Sequence, residues 1–208
     1  MAKKKTTSTE GISVLKTYKL FIAGAFPRTE SGRFYSLRNS SEELIANVCL
    51  SSRKDFRNAV VAARKAQNGW GAKTAYNRSQ IIYRIAEMLQ QKREVFLKEM
   101  KDLGYTDQRA SREFSDSVDY LVHYAGWCDK YVQVFSSVNP VASSHFNFSV
   151  PEPTGVVAAF ASNKSALLGF LEAFIPAICG GNTAIVLASE IMPTCAITMS
   201  EVIANSDV

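Results

Sequence analysis

Between Gly155 and Phe170 the sequence reads GVVAAFASNKSALLGF, two apolar runs separated by a short polar segment. This pattern predicts a buried strand, a turn and an apolar helix, the arrangement at which α/β enzymes usually bind ligands. The turn contains Ser162, Asn163, Lys164 and Ser165 but no pair of glycines that would cradle a phosphate. The chemistry available to these four side chains therefore decides whether the region is catalytic.

Cysteines and histidines are the other residues that could act as nucleophiles or metal ligands. His123 and His145 are the only histidines, and they are too few and too far apart to indicate a metal site or a Ser-His-Asp arrangement. The four cysteines form no CxxC or ligand-like pattern, so we predict reduced thiols packed in the core. They are Cys49, Cys128, Cys179 and Cys195.

Composition indicates a globular protein. The chain has 208 residues, of which 47% are hydrophobic, enough for one sizeable core or for a core with a smaller subdomain. Part of the net charge of +5 comes from the opening MAKKKTTSTEG. We expect residues 1–17 to be a disordered basic tail, which makes the charge weak evidence for nucleic acid binding.

No apolar segment of the kind found in secretory signals follows the first lysines. The longest apolar run, residues 166–179, is interrupted by Glu172 and contains Pro176, so it is too short and too broken to span a bilayer. We therefore predict a cytoplasmic protein that does not insert into membranes.

Residues 18–138 are predicted to contain strands followed by helices. Residues 18–50 show strand patterns around turns at Ala23-Gly24 and at residues 30–32. Three amphipathic helices are predicted over 51–138: one opened by a capping box at Ser52 and Asp55, one over 76–103, and one over 108–135.

Residues 145–208 are predicted to begin a parallel sheet. The alternation in HFNFSV, residues 145–150, predicts an edge strand. The uninterrupted apolar runs GVVAAFA and TAIVLA predict central parallel strands covered on both faces, connected by a helix over 165–179 and followed by a helix over 193–204. The predicted class is α/β, the start of a doubly wound, Rossmann-like parallel sheet preceded by a helical region.

Several motifs resemble the aldehyde dehydrogenase superfamily, and the resemblance runs from about Lys19 to the C-terminus. They are AARKAQNGW, NRSQIIYRIAEML, PEPTGVVAAF and IPAICGGNTAIVLASE, in this order. KLFIAGAFPRTESGR, YAGWCDKY and FNFSVPEPTGVV look closest to the degenerate second domain of two-domain aldehyde dehydrogenases and its free-standing bacterial relatives.

The resemblance implies a cofactor domain, a catalytic domain and a β-strand oligomerisation arm that pairs across a dimer. Residues 18–208 would be the N-terminal portion of this fold. Strands in 18–50 and HFNFSVP would contribute to the arm and to the sheet that it extends. The rest of the cofactor sheet, the nucleophilic cysteine and the general-base glutamate would lie outside these residues.

The resemblance also predicts the location of the oxyanion site. Active members have a Pro-Trp-Asn-Phe-Pro turn whose asparagine donates to the developing oxyanion. With the register anchored at Pro176, Lys164 occupies the asparagine position and Asn163 the tryptophan position, while Ser162 and Ala166 occupy the two proline positions. A slip of one residue would bring Asn163 into the role but would break the match at Pro176.

A second family site binds the adenosine ribose of NAD or NADP through a Lys-Pro-(Ser/Ala)-Glu sequence. Here Leu187 stands at the lysine position, whereas Ser189 and Glu190 match. Loss of one charge-assisted hydrogen bond would weaken dinucleotide binding by about tenfold to a hundredfold. Glu190 can accept from a ribose or serve equally well as an acidic residue at the start of a helix.

Cys179 and Cys195 are the two candidates for a replacement nucleophile. Burial on an apolar helix should raise the pKa of Cys179 and so remove the nucleophile. The first turn of a helix can lower the pKa of Cys195, but no base is apparent near it in the sequence. We therefore predict no catalytic residue and no metal ligand.

The sequence thus favours a catalytically defective aldehyde dehydrogenase-like partner that binds NAD or NADP weakly or not at all. Its partner would be a second copy or a complementary aldehyde dehydrogenase-like chain. One alternative is a fragment of an active NAD(P)-dependent oxidoreductase. The other is a binding module, whose salt-sensitive nucleic acid binding would disappear when residues 1–11 are removed.

Overall fold

The computed structural model describes residues 16–206. The predicted basic tail therefore lies almost entirely outside the described residues. The first element is a three-stranded sheet in the order β1, β3, β2, in which β1 is parallel and β2 antiparallel to β3. Its strands are β1 (Thr17–Tyr18), β2 (Phe34–Arg38) and β3 (Leu44–Cys49).

The predicted turn at Ala23-Gly24 is confirmed. Ala23 and Gly24 have φ of 53° and 76°, and Ile22 and Ala25 exchange backbone hydrogen bonds of 3.0 and 3.1 Å. Two successive residues with positive φ make the tight reversal that a glycine favours. The strand expected around this turn is reduced to that single bridge.

Five helices follow, and the first has the predicted capping box, in which Ser52 and Asp55 each accept from the other's backbone N–H. The helix predicted over 76–103 is divided at Lys92, which lets Phe96 and Met100 turn into the core. The helix predicted over 108–135 is divided after Ala125 by a turn that buries Cys128. The observed helices are α1 (Arg53–Gly71), α2 (Ala75–Gln91), α3 (Arg93–Asp102), α4 (Asp107–Ala125) and α5 (Lys130–Phe135).

The predicted edge strand is shorter than its alternation suggested. Only β5 (Phe148–Ser149) forms, paired antiparallel with β4 (Ser137–Val138). Residues 145–150 are all exposed, so within residues 16–206 no apolar core stabilises a longer strand.

The parallel sheet is confirmed. Strands β6 (Val156–Phe160) and β7 (Thr183–Leu187) pair in parallel and are joined by α6 (Leu168–Cys179), and α7 (Thr194–Ala204) follows. Helices α1 and α6 both contact these strands. The expectation that both strands are fully covered is wrong for their carboxyl ends, because Phe160 is 81% exposed and Leu187 49% exposed on this two-stranded sheet.

The main core lies where α2, α4, α6 and α7 meet. Ile85, Phe114, Leu171 and Met199 from these four helices are almost completely buried. The core holds α6 in place, and α6 in turn positions the end of β6 and the turn that follows it.

Candidate functional site

The turn after β6 is held mainly through its backbone. The carbonyl of Lys164 accepts from Nη2 of Arg109 at 3.0 Å, and the backbone N–H of Lys164 donates to Oγ of Ser162 at 3.1 Å. The guanidinium of Arg109 also lies 3.8 Å from the centroid of the Tyr105 ring. Lys164 is exposed, and among residues 16–206 its ammonium makes no hydrogen bond or ion pair.

The turns after β6 and β7 are joined by a hydrogen bond between side chains. Oγ of Ser189 donates to Oδ1 of Asn163 at 2.7 Å, and Oγ also accepts from the N–H of Met192 at 3.1 Å. Ser189 is buried, whereas Asn163 is exposed. The structure thus brings together two of the predicted positions, and it fixes the Asn163 amide within the protein.

Leu187 and Glu190 lie at the same end of the sheet, and both are exposed. The hydroxyl of Tyr35, from the N-terminal sheet, donates to the carbonyl of Glu190 at 3.0 Å. Burial, followed by the charge of Glu190, raises the pKa of Tyr35 to about 12. Sequence reasoning missed this contact because Tyr35 is 155 residues away from Glu190 along the chain.

The N-terminus of α6 is already occupied by side chains. A carboxylate oxygen of Glu113 accepts from the N–H groups of Leu167 and Leu168 at 2.8 and 3.3 Å, and the Tyr105 hydroxyl accepts from the N–H of Ala166 at 3.1 Å. Helix N-termini commonly bind phosphate or carboxylate ligands. Here the protein supplies the carboxylate itself, so these N–H groups are not free for a ligand.

The turn also packs closely on α6 at Gly169. A Cβ atom at this position would lie 2.7 Å from Oγ of Ser165 and 2.8 Å from Cβ of Ser162. The glycine therefore allows the turn and the helix to approach each other. The backbone conformation of Ser162–Ser165 depends on this close packing.

The sequence matches the family model described as the aldehyde dehydrogenase family over residues 26–208. The chain belongs to the aldehyde dehydrogenase family. The chain is similar to an aldehyde dehydrogenase from Bacillus cereus that was solved as its NAD+ complex. The two share 26% sequence identity with a TM-score of 0.85, and the match covers 93% of this chain and 40% of that one.

Two further aldehyde dehydrogenases have the same fold at lower identity. A salicylaldehyde dehydrogenase from Pseudomonas putida, complexed with salicylaldehyde, matches at 17% identity with a TM-score of 0.87 over 94% of this chain and 40% of that one. A betaine aldehyde dehydrogenase from Staphylococcus aureus matches at 23% identity with a TM-score of 0.85 over 92% and 38%. The chain spans about two fifths of the length of these relatives.

The two cysteines considered as replacement nucleophiles behave in the opposite way to the sequence-based expectation. A hydrogen bond with Cys128 lowers the pKa of Cys179 in spite of burial, and the guanidinium of Arg78 acts in the same direction. Burial, followed by the charges of Glu99 and Glu113, raises the pKa of Cys195 well above its usual value. The first turn of α7 thus does not activate Cys195, because the thiol is completely enclosed.

All four cysteines are free, and Cys128, Cys179 and Cys195 are buried. Over residues 16–206 no cluster of three or more His, Cys, Asp and Glu side chains could hold a metal ion. No helix in this range is both long and apolar enough to cross a membrane.

Proposed function

We propose that residues 18–208 form the N-terminal portion of an aldehyde dehydrogenase-like unit that acts as a non-catalytic structural or regulatory partner. The observation that carries the proposal is the turn after β6, where Lys164 stands at the position expected for the oxyanion-binding asparagine. An oxyanion site needs donors that are fixed before the reaction. The exposed ammonium of Lys164 lies on a flexible stem, and the neighbouring Asn163 is bound to Ser189.

A turnover assay tests the non-catalytic role. The purified chain, supplied with NAD or NADP and a series of short and aromatic aldehydes, should produce no reduced cofactor. Clear turnover that stays with the chain through further purification would contradict the proposal, whether or not Lys164→Ala abolishes it. Turnover that separates from the chain on further purification would instead indicate contaminating enzyme.

We further propose that this region binds NAD or NADP weakly or not at all. The Bacillus cereus relative was solved in complex with NAD+. In this chain, the side chain of Leu187 has no donor for a ribose hydroxyl. Its side chain is 49% exposed at the strand end, so a longer polar side chain fits without disturbing the core. Of the remaining family positions, Ser189 has its hydroxyl bound to Asn163 within the protein, whereas the side chain of Glu190 is exposed.

Leu187→Lys is the sharpest test of this dinucleotide proposal. Restoring a charge-assisted donor should increase the affinity for NAD or NADP by about tenfold or more, as measured by titration calorimetry. Ile191→Lys, which adds the same charge at a residue that is 57% exposed, is the matched control and should change little. Equal, tight binding by wild type and both variants would contradict the proposal.

The proposed route to a partner is the β4–β5 hairpin, which we interpret as the oligomerisation arm. Its apolar side chains face solvent, with Phe146 73% and Phe148 60% exposed and their ring centroids 5.5 Å apart. Aromatic side chains of this kind are enriched in protein interfaces. The partner would be a second copy or a complementary aldehyde dehydrogenase-like chain, and we place the assembly in the cytoplasm.

Light scattering tests the arm. Replacing Phe146 and Phe148 with serine should lower the apparent mass to that of a single chain, because the apolar contact is lost. Val61→Ser on α1 removes an apolar side chain that is 62% exposed and should leave the assembly intact. A wild-type chain that is monomeric at micromolar concentration would contradict this part of the proposal.

A second candidate function is favoured by the open side of β7. A groove of about 1370 Å³ is lined by α1, β7 and α7 and by residues 18–24. We propose that a further strand pairs with β7 in this groove. In this candidate, additional residues complete the sheet and supply a nucleophilic cysteine and a general base. Mass spectrometry of the protein isolated from its native source separates the candidates, since this one requires a mass well above 22.9 kDa.

A further inference from the structure

Two of the buried cysteines contact the same backbone carbonyl oxygen. Cys128 lies in the turn between α4 and α5, and Cys179 is the last residue of α6. Sγ of each lies 3.5 Å from the carbonyl oxygen of Tyr124 and donates to it. The sulfur atoms are also close enough for the Cys128 thiol to donate to Cys179 once Cys179 loses its proton, although the two residues are 51 apart in sequence.

The contact between the two thiols, and not the charges around them, distinguishes the two sulfur atoms. The hydrogen bond from Cys128 lowers the pKa of Cys179, whereas Arg78, whose Nε donates to the Cys179 carbonyl at 3.1 Å, favours the thiolate at both positions. The same hydrogen bond, together with burial, raises the pKa of Cys128. Asp129 opposes the thiolate at both positions. The pair therefore consists of one thiolate-prone sulfur and one protonated partner, as a dithiol that undergoes oxidation requires.

Access for a small oxidant requires local opening next to Cys128. Helix α5, which begins two residues after Cys128, has six residues, and none of its side chains is buried. Segments with few buried contacts open locally at low free-energy cost. Because each sulfur atom already lies 3.5 Å from the Tyr124 oxygen, little further movement is needed to bring the two sulfur atoms together.

We propose that Cys128 and Cys179 are a modification site, a dithiol that a peroxide oxidises reversibly to an intramolecular disulfide. The Cys179 thiolate attacks one peroxide oxygen, the O–O bond breaks, and the departing oxygen takes a proton and leaves as water or alcohol. Sγ of Cys128 then attacks the Cys179 sulfenic acid, the S–O bond breaks, and a second water leaves. The two thiols lose two electrons, and one peroxide is reduced.

The disulfide joins the α4–α5 turn to the end of α6, directly before the Gly180–Asn182 turn that leads into β7. It therefore restrains the segment that positions the parallel sheet, and it raises the temperature at which the chain unfolds.

The test is peptide mapping of the whole chain after treatment with hydrogen peroxide, followed by unfolding in denaturant and alkylation of the remaining thiols. A Cys128–Cys179 linked peptide should appear, two of the four cysteines should resist alkylation, and dithiothreitol should reverse both effects. Because this measurement uses wild type, it does not depend on the folding of any variant. Four alkylated cysteines and no linked peptide, or a linkage through Cys49, would overturn the proposal.

Variants test the separate roles of the two sulfur atoms. In Cys128→Ser, dimedone should trap a sulfenic acid at Cys179, because the second thiol is missing. Cys179→Ser should give little dimedone adduct at Cys128, and Cys49→Ser, a half-buried control, should still form the linked peptide. Equal dimedone labelling of positions 128 and 179 in the two single variants would overturn the assignment of Cys179 as the nucleophile.

Discussion

Helices α6 and α7 follow successive strands of the same sheet, and both are apolar, yet their polar surroundings differ. At α6, Glu113 and Tyr105 accept from the first N–H groups. Side-chain donors from α1, α2 and α5 and from the following turn bind the last carbonyl groups. These donors are Trp70 to Ile178, Arg78 to Cys179, Tyr131 to Gly180 and Asn182 to Ala177.

At α7 the polar groups are less well matched. Among residues 16–206 no side chain accepts from the N–H groups of Thr194, Cys195 or Ala196, which begin this helix. Within residues 16–206, Oγ1 of Thr194 and Oε2 of the neighbouring Glu99 are buried without a hydrogen-bond partner. Burial raises the pKa of Glu99, although Thr198 and Tyr18 donate to its other oxygen at 2.6 and 2.9 Å.

The comparison shows where this fold is fixed and where it is not. The unpaired groups that end an α-helix must find partners when they are buried. Around α6 the surrounding helices provide them, so the helix below the turn after β6 is held at both ends. Around α7, one oxygen of the buried Glu99 carboxyl has no hydrogen-bond partner among residues 16–206, so we expect the stability of this region to depend on pH.

Glu113→Ala should have the largest effect on the scaffold. It leaves the N–H groups of Leu167 and Leu168 without an acceptor, which should lower the free energy of unfolding by about 3 kcal/mol in urea denaturation. Glu113→Gln keeps one acceptor oxygen and should lose about half as much. Glu94→Ala, at a side chain that is 88% exposed, is the control. A cost for Glu113→Ala no greater than the control's would show that α6 does not depend on this carboxylate.

Arg78→Met should come next. Methionine keeps the apolar stem but leaves the buried carbonyl of Cys179 without its donor, at a cost of about 2 kcal/mol by the same measurement. Arg112→Met removes a side chain that is 84% exposed and should cost less than about 0.5 kcal/mol. Equal costs for the two variants would mean that the end of α6 is no better anchored than the surface.

Ser189→Ala should have a smaller effect, because it removes one hydroxyl that links the turns preceding the two helices. We expect a loss of about 1 kcal/mol, since the N–H of Met192 and the Asn163 amide each lose a partner. Ser115→Ala, at an exposed position of α4, is the control. No difference in unfolding between the two variants would show that the two turns are not mechanically coupled.

Glu99→Gln should show the smallest effect, and its sign should depend on pH. Because the pKa of Glu99 is raised in the folded state, its contribution is fully present below the pKa of the unfolded chain, about 4.3, and is lost as pH rises through the folded value. Glutamine carries no charge, so the variant should gain stability relative to wild type between pH 5 and pH 8.

Thermal unfolding of Glu99→Gln and wild type across this pH range measures the change. The same series with Glu94→Gln should be flat, since that side chain is 88% exposed. A relative stability of Glu99→Gln that falls with rising pH would mean that Glu99 is stabilised as a carboxylate, and the contrast between α6 and α7 would then disappear.

Local sequence patterns predicted most of the fold. Ser52 and Asp55 formed the expected capping box, the strands from Val156 and Thr183 paired in parallel, and the helix before Gly180 formed. These features depend on residues that are close in sequence, so periodicity and spacing are enough to predict them. The sequence did not predict the break at Lys92, because the residues before Lys92 and the residues after it each follow an amphipathic helical pattern.

The candidate site was less predictable because its contacts connect distant elements. Glu113 lies on an amphipathic helix next to Phe114, and nothing in its neighbourhood indicates that it will accept from Leu167, 54 residues away. The pKa of Cys179 was expected to rise with burial, but it falls because Cys128 and Arg78 lie beside the sulfur. Only the arrangement of α2, α4 and α6 in space brings these groups together.

The sequence by itself determined the family and the order of the elements, because these are properties of the chain read in order. Lys164 and Leu187 remain the residues that we predict at the two family positions. The tertiary structure decided that Glu113 occupies the N-terminus of α6, that Asn163 binds Ser189, and that Cys128 meets Cys179. Burial and electrostatics depend on distances in space, and those distances are set by the packing of helices that are far apart along the chain.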